Sequence, residues 1–233
     1  SRPWIQSNRI TNNVAESGGG IYAHGPGWGA EGDGGPAMFG NHFISNTANN
    51  SGGGIMLDFS AAAVVGNRFE NNHGREGGGI YHLLSDATVD RNEFKLNTAE
   101  RGGALSFQGG NAKVYNNFIY DNQASQYGSA IYTFGASPYF AHNTIARNSD
   151  GDGSAIYSTY WEPFDQTWDM VNTIIADQAI GISAHGAITV NLDHVLWHNT
   201  PVTATTNGGA TLFAHAQLTG DPLFVNPAVG DYH

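Results

Sequence analysis

The stretch NEFKLNTAERGGALSFQGGNAKVYN, Asn92 to Asn116, decides the fold, because variants of it lie end to end from about Asn8 to His198. Each copy opens on Asn, any residue, Phe or Ile, two further residues, and Asn. The pattern reads NRITNN at Asn8, NHFISN at Asn41, NRFENN at Asn67, NEFKLN at Asn92, NFIYDN at Asn117 and NTIARN at Asn143. Two degenerate copies are expected at Asn172 to Asp177 and Asp193 to His198. The openings are 33, 26, 25, 25, 26, 29 and 21 residues apart, which makes a period of about 25. Such a repeat is too short for a propeller blade or a helical pair.

Ten or eleven residues after each opening stands a glycine run closed by an aliphatic residue, as at Gly52 to Ile55, Gly77 to Ile80 and Gly102 to Leu105. A third apolar position precedes the next opening by three residues, at Met38, Val64, Val89, Val114, Phe140 and Val190. Alternation with period two between Gly and Asn punctuation predicts strands. Three short strands in about 25 residues make one coil of a parallel β-helix, each coil pairing with the next at about 4.8 Å. The fold class expected is all-β, a single-stranded right-handed parallel β-helix solenoid of about eight coils.

Inward residues then form columns. One is Ile10, Phe43, Phe69, Phe94, Ile119, Ile145, Ile174 and Val195; a second is Ile21, Ile55, Ile80, Leu105, Ile131, Ile156 and Ile182; the third runs from Met38 to Val190. The Asn series Asn13, Asn46, Asn72, Asn97, Asn122 and Asn148 is expected at turns, adopting the left-handed conformation and bonding the next coil through its amides.

The reading is one domain over 1–233, with repeats over 8–199 and an irregular capping segment over 200–233 in which Leu223, Phe224 and Val225 cover the open end. The chain opens inside a repeat without Met and is expected to be a piece of a longer protein. Nine Lys and Arg against a formal charge of −11 give no basic footprint for nucleic acid or an anionic membrane surface. The chain has no Cys, and no apolar run reaches the roughly 18 residues of a membrane span, so membrane insertion of this chain is not expected.

Two coils carry insertions at one corner. Ile21 to Met38 takes seventeen residues and Ile156 to Met170 fourteen, where other coils take nine, so HGPGWGAEGDGG (24–35) and STYWEPFDQTWD (158–169) leave the scaffold. Loops on a rigid frame concentrate binding residues. Between them an outward row is expected, Tyr22, Met56, Tyr81, Ser106, Tyr132 and Tyr157. The candidate binding residues are Trp28, Tyr81, Tyr132, Tyr157, Tyr160, Trp161, Glu162, Asp165 and Trp168, aromatic faces for sugar rings beside acceptors. The bland alternative is that these tyrosines are ordinary strand residues and the loops pack on themselves.

Glu76 and Glu100 on adjacent coils are expected near 5 Å apart, the spacing of a retaining glycosidase pair, although the neighbouring Arg75 and Arg101 disfavour an acid role. Asp150-Gly-Asp152-Gly does not meet the spacing of a calcium loop, so no metal or other cofactor is assigned. The ten histidines form no ligand motif, and His82 is expected on the inner side.

The Phe-x-x-Asn segments at Phe43, Phe69 and Phe94, alternating with the glycine runs, resemble the paired repeats of the chlamydial polymorphic outer-membrane proteins. The ending Asp221-Pro-Leu-Phe-Val-Asn-Pro-Ala-Val-Gly-Asp-Tyr-His233 looks like that of large bacterial right-handed β-helix proteins of the pectin-lyase-like class. This resemblance implies a secreted or cell-surface bacterial protein engaged in adhesion or polysaccharide handling. Neither the lyase constellation of that class nor the paired Asp motif of polygalacturonases matches residue by residue. The function expected is a non-catalytic structural or adhesive module whose partner is a glycan or another surface protein, with end-to-end or lateral self-association as a further partner mode. The alternative is a polysaccharide lyase or glycoside hydrolase using Glu162, Asp165, Asp58 and His24.

Overall fold

A computed structural model describes residues 2–25, 35–162 and 166–226. Among these, every regular element is a strand, and all strand pairing is parallel in four sheets of nine, five, eight and nine strands. In chain order round one coil, sheet I holds the strand inside the opening pattern (Arg68–Glu70, Glu93–Lys95), sheet II the strand before the glycine run (His73–Glu76, Thr98–Arg101), sheet III the strand after it (Ile80–Leu83, Leu105–Gln108) and sheet IV the third apolar position (Thr88–Asp90, Lys113–Tyr115). Sheet II is the five-stranded one and adds a fourth strand to coils expected to hold three.

The expected columns are borne out through the regular coils. Ile10, Phe43, Phe69, Phe94, Ile119 and Ile145 are successive partners, and the Phe rings of 43, 69 and 94 stack with centroids 4.8 and 4.7 Å apart. The second column holds from Ile21 to Ile182. Corrections come in the degenerate copies. Ile145 pairs with Ile175, and Ile175 with Trp197, so Ile174 and Val195 do not belong to the first column. In the third column Met170 pairs with Leu192, while Val190 lies beside Trp168. The opening asparagine's place is taken there by Thr173, whose hydroxyl faces Asn143 N at 3.4 Å.

Two asparagine ladders run through the stack, 8-41-67-92-117-143 and 13-46-72-97-122-148. In each step the carboxamide oxygen accepts from both the backbone N–H and the side-chain amide of the preceding Asn; Asn72 Oδ1 takes Asn46 N and Nδ2 at 3.0 Å each. Its own Nδ2 donates forward to Asn97 Oδ1 and back to the Phe43 carbonyl, both at 2.9 Å. The left-handed conformation lies one residue earlier than expected, at Ser45, Asn71, Leu96, Asp121 and Arg147. Such strain in Leu96 and Arg147 persists because the ladder on one side and the strand on the other fix the corner.

The two 26-residue spacings, from Asn41 to Asn67 and from Asn117 to Asn143, have a local cause. Strands Thr47–Ser51 and Gln123–Tyr127 of sheet II hold five residues where His73–Glu76 and Thr98–Arg101 hold four, and the register shifts beside them mark bulges that absorb the extra residue. At the end of the chain the expected cap does not form. Leu223 and Val225 are 79% and 71% exposed, and Phe224 packs on the outside of sheet I against the cluster of Tyr120, Ala146 and Ala176. The proline at 222 ends ladder pairing, and the nearest apolar surface is that outer patch.

Candidate functional site

Outward side chains of sheet III form two columns. One is Tyr22, Met56, Tyr81, Ser106, Tyr132, Tyr157 and Ser183; its neighbour is His24, Asp58, Leu83, Gln108, Phe134, Thr159 and His185. The first matches the expected row and extends it. Most of that row is covered, however. Met56, Tyr81 and Ser106 are buried, and Tyr81 lies beneath Gln108, to which its hydroxyl donates. Long neighbours in the second column close over the centre of the sheet.

Tyr22 on the first coil is half exposed, and on the later coils Tyr132 and Ser183 are buried while Tyr157 is partly exposed. A groove of about 440 Å³ is lined by Gln108, Tyr132, Phe134, Tyr157 and Thr159 from sheet III, with Glu76, Arg101 and Tyr127 from the end of sheet II. The rings of Tyr127 and Tyr157 meet at 4.5 Å, and those of Tyr132 and Tyr157 stack at 5.9 Å. The Arg101 guanidinium sits 5.8 Å from the Tyr132 ring centroid while donating to Glu76 at 2.9 Å. Burial pushes the Tyr132 phenol up to about 12 against the opposing pull of Arg101, and burial likewise raises Tyr157. Both therefore stay protonated and serve as hydrogen-bond donors, not as bases.

The second loop contributes a wall and anchors. Trp161 stacks on Phe134 at 5.4 Å and 11°. It lies so close to Gly135 that a Cβ there would come within 2.7 Å of its own Cβ. Gly135 also has φ +65°, so two independent constraints select glycine. Tyr160 packs against the core and Gly186, and Glu162 is exposed. Trp168 is a correction: it is 1% exposed, its ring meets Phe140 edge-on and its indole N–H donates to Ser158, because strand Gln166–Val171 turns it into the bore. Trp28 and Asp165 lie outside the described residues.

Sheet II corrects the carboxylate pair. Register sets Glu76 beside Arg101 and not beside Glu100, and Arg75 bonds Glu100 at 3.3 Å. The dipeptides Arg75-Glu76 and Glu100-Arg101 read in opposite order before the aligned glycine runs, so each carboxylate meets a guanidinium. This removes the like-charge juxtaposition that an acid and nucleophile pair needs. Of the remaining candidates, His24 Nδ1 lies 3.0 Å from Asp58 Oδ2, which also accepts from Tyr22. Among the described residues no cluster of three His, Cys, Asp or Glu could hold a metal. Asp152 spends both oxygens on the Ser154 hydroxyl at 2.8 Å.

Sequence reasoning missed Tyr127, Phe134 and His185. Their signal was available: Tyr127 immediately precedes a glycine run, and Phe134 and His185 stand two residues after the outward-row members Tyr132 and Ser183.

The family model for right-handed β-helix regions matches residues 32–200. The chain belongs to the right-handed β-helix family. That assignment gives the solenoid its hand and accounts for the four ladders as faces of one continuous right-handed winding. No curated protein and no solved structure matches the chain. The aromatic groove is one of several concave features among the described residues; others are lined by His73, Arg75 and Glu100 on sheet II and by Trp197, Thr203 and Thr219.

Proposed function

We propose that this β-helix is a structural and adhesive module of a bacterial surface or secreted protein, holding a glycan along sheet III without cutting its chain. The observation that carries the reading is the aromatic groove. Tyr127, Tyr132 and Phe134 on one coil and Tyr157 on the next offer ring faces, and Gln108, Thr159, Glu76 and Arg101 supply polar groups at its edges. Flat apolar faces flanked by fixed donors and acceptors suit the alternating apolar faces and hydroxyl rims of pyranose rings. The tyrosine pKa shifts run away from neutrality, and Glu76 is engaged by Arg101, so the groove favours holding over proton transfer.

The test is a glycan-array screen run with a reducing-end and unsaturated-product assay on the same polysaccharides. Binding without products, weakened by Tyr127→Ala with Tyr157→Ala, is the expected result. Product formation from a bound polymer would replace this reading with a lyase or hydrolase. A surface protein as partner would show as silence on the array together with capture of that protein by the wild type and not by the double variant.

A further inference from the structure

Beyond the aromatic groove, sheet III carries a hydroxyl chain aimed at an imidazole. Ser183 and His185 stand two residues apart on strand Ile180–His185, so both project from the outer face, in the columns that continue Tyr157 and Thr159. Ser183 Oγ lies 2.8 Å from His185 Nε2, and Thr205 Oγ1 on the following coil donates to Ser183 Oγ at 3.1 Å. With Thr205 donating to the Ser183 oxygen, the Ser183 proton is free to point to Nε2, the arrangement that corresponds to the Nδ1–H tautomer of His185. Tyr157 stacks on the imidazole, with centroids 4.7 Å apart and planes within 18°, and holds the ring in this orientation. A hydroxyl within hydrogen-bond reach of an imidazole that is itself clamped in place is the arrangement of an activated nucleophile.

We propose that Ser183 and His185 form a nucleophile and base that hydrolyse short acyl esters, with O-acetyl substituents of a groove-bound glycan as the substrate class. The glycan part rests on the groove reading; the acyl transfer does not. Ser183 Oγ attacks the ester carbonyl carbon as its proton passes to His185 Nε2. The bond to the alcohol oxygen then breaks, and His185 returns the proton to that oxygen. Water next attacks the acyl-Ser183, losing a proton to His185, and the carboxylic acid departs as Ser183 Oγ regains its proton. Water is the one co-reactant. Ser183 is 5% exposed, which restricts the acyl group to one about as small as acetyl. Among the described residues no carboxylate bonds His185 Nδ1, so the acceleration from the base is expected near the low end for such groups, about a hundredfold.

The experiment uses the full chain with p-nitrophenyl acetate as substrate and a fluorophosphonate probe mapped by peptide mass spectrometry. The proposal predicts one adduct, on Ser183, and a loss of turnover of at least about tenfold in both Ser183→Ala and His185→Gln with unchanged circular dichroism. An adduct elsewhere or none, or undiminished turnover in Ser183→Ala, overturns it. Should removal of the hydroxyl disturb the sheet, the nearly isosteric Ser183→Cys gives a second measurement. Its alkylation by iodoacetamide should slow when His185→Gln is added, and equal rates contradict the pair. Because p-nitrophenyl acetate carries no sugar, its turnover is read independently of glycan binding on the array, so the groove reading and this one fail separately.

Discussion

Asn97 accepts from Asn72 N at 3.0 Å and Asn72 Nδ2 at 2.9 Å, and donates to the Phe69 carbonyl and to Asn122 Oδ1 at 2.9 Å each. One fully buried carboxamide thereby satisfies polar groups of the coils on both sides. Replacing it by Ala leaves buried partners on both flanking coils without a bond, and the expected loss is about 3 kcal/mol, read from urea denaturation at constant m. His82 is the opposite case. It faces the bore, stacks on Phe107 at 4.5 Å, and among the described residues neither ring nitrogen has a hydrogen-bond partner. Burial pushes it down to about 3 from an ordinary 6.5. Above pH 6.5 it is neutral folded and unfolded alike. Below that, the unfolded chain takes up a proton that the folded chain refuses until about pH 3, so stability falls through this window as pH drops. The slope from this one group reaches at most about 1.4 kcal/mol per pH unit. His82→Phe should flatten it and raise stability at pH 5, measured by denaturant midpoints across pH; an unchanged slope would contradict the account. The sequence placed His82 inward by alternation alone, but that it lacks a partner depends on Leu57 and Phe107 being its ladder neighbours, which only register reveals.

At the scale of the strand and corner, residue sizes on neighbouring coils are matched. Gly20, Gly54 and Gly79 face Phe43, Phe69 and Phe94, and a Cβ at Gly79 would meet Phe94 Cδ1 at 2.8 Å. The next coils put Ala104, Ala130 and Ala155 at that corner, and their column residues are Ile119, Ile145 and Ile175. Glycine thus accompanies the aromatic rung and alanine the aliphatic one. Gly79→Ala should cost about 2 kcal/mol by overpacking, and adding Phe94→Ile should recover at least about 1 kcal/mol of it as coupling in a double-mutant cycle. Additive effects would refute the match. The columns were legible because each residue recurs at a constant offset from two landmarks. The shift in the degenerate copies was not, because Ile174 and Ile175 are equivalent by type. The apolar position three residues before each opening selects Ile175: Met170 precedes Thr173, not Asn172, by three. The Glu76 and Glu100 pairing failed for a related reason, since charge was aligned by type instead of by distance from the glycine run.

For the whole molecule, the right-handed winding turns single side chains into continuous surfaces. The groove collects Glu76, Arg101, Tyr127 with Tyr132, and Tyr157 from four consecutive coils that stand about 4.8 Å apart, and its rings come from the last two of these, so a ligand lying along the stacking direction passes from the ion pair onto the tyrosines. The outward tyrosine row could be read from period two. Which of its members are open could not, because Gln108 covers Tyr81 through a side chain on the next coil. Trp168 was misplaced because an insertion of unknown path separates it from the nearest landmark. The most direct test of the groove is calorimetric titration of the best-bound polysaccharide, with reducing ends assayed before and after. The account predicts saturable binding with no new reducing ends, weakened roughly thirtyfold in Tyr127→Ala with Tyr157→Ala, the loss of two aromatic contacts of about 1 kcal/mol each. Equal affinity in the double variant, or release of cleaved products, would contradict it.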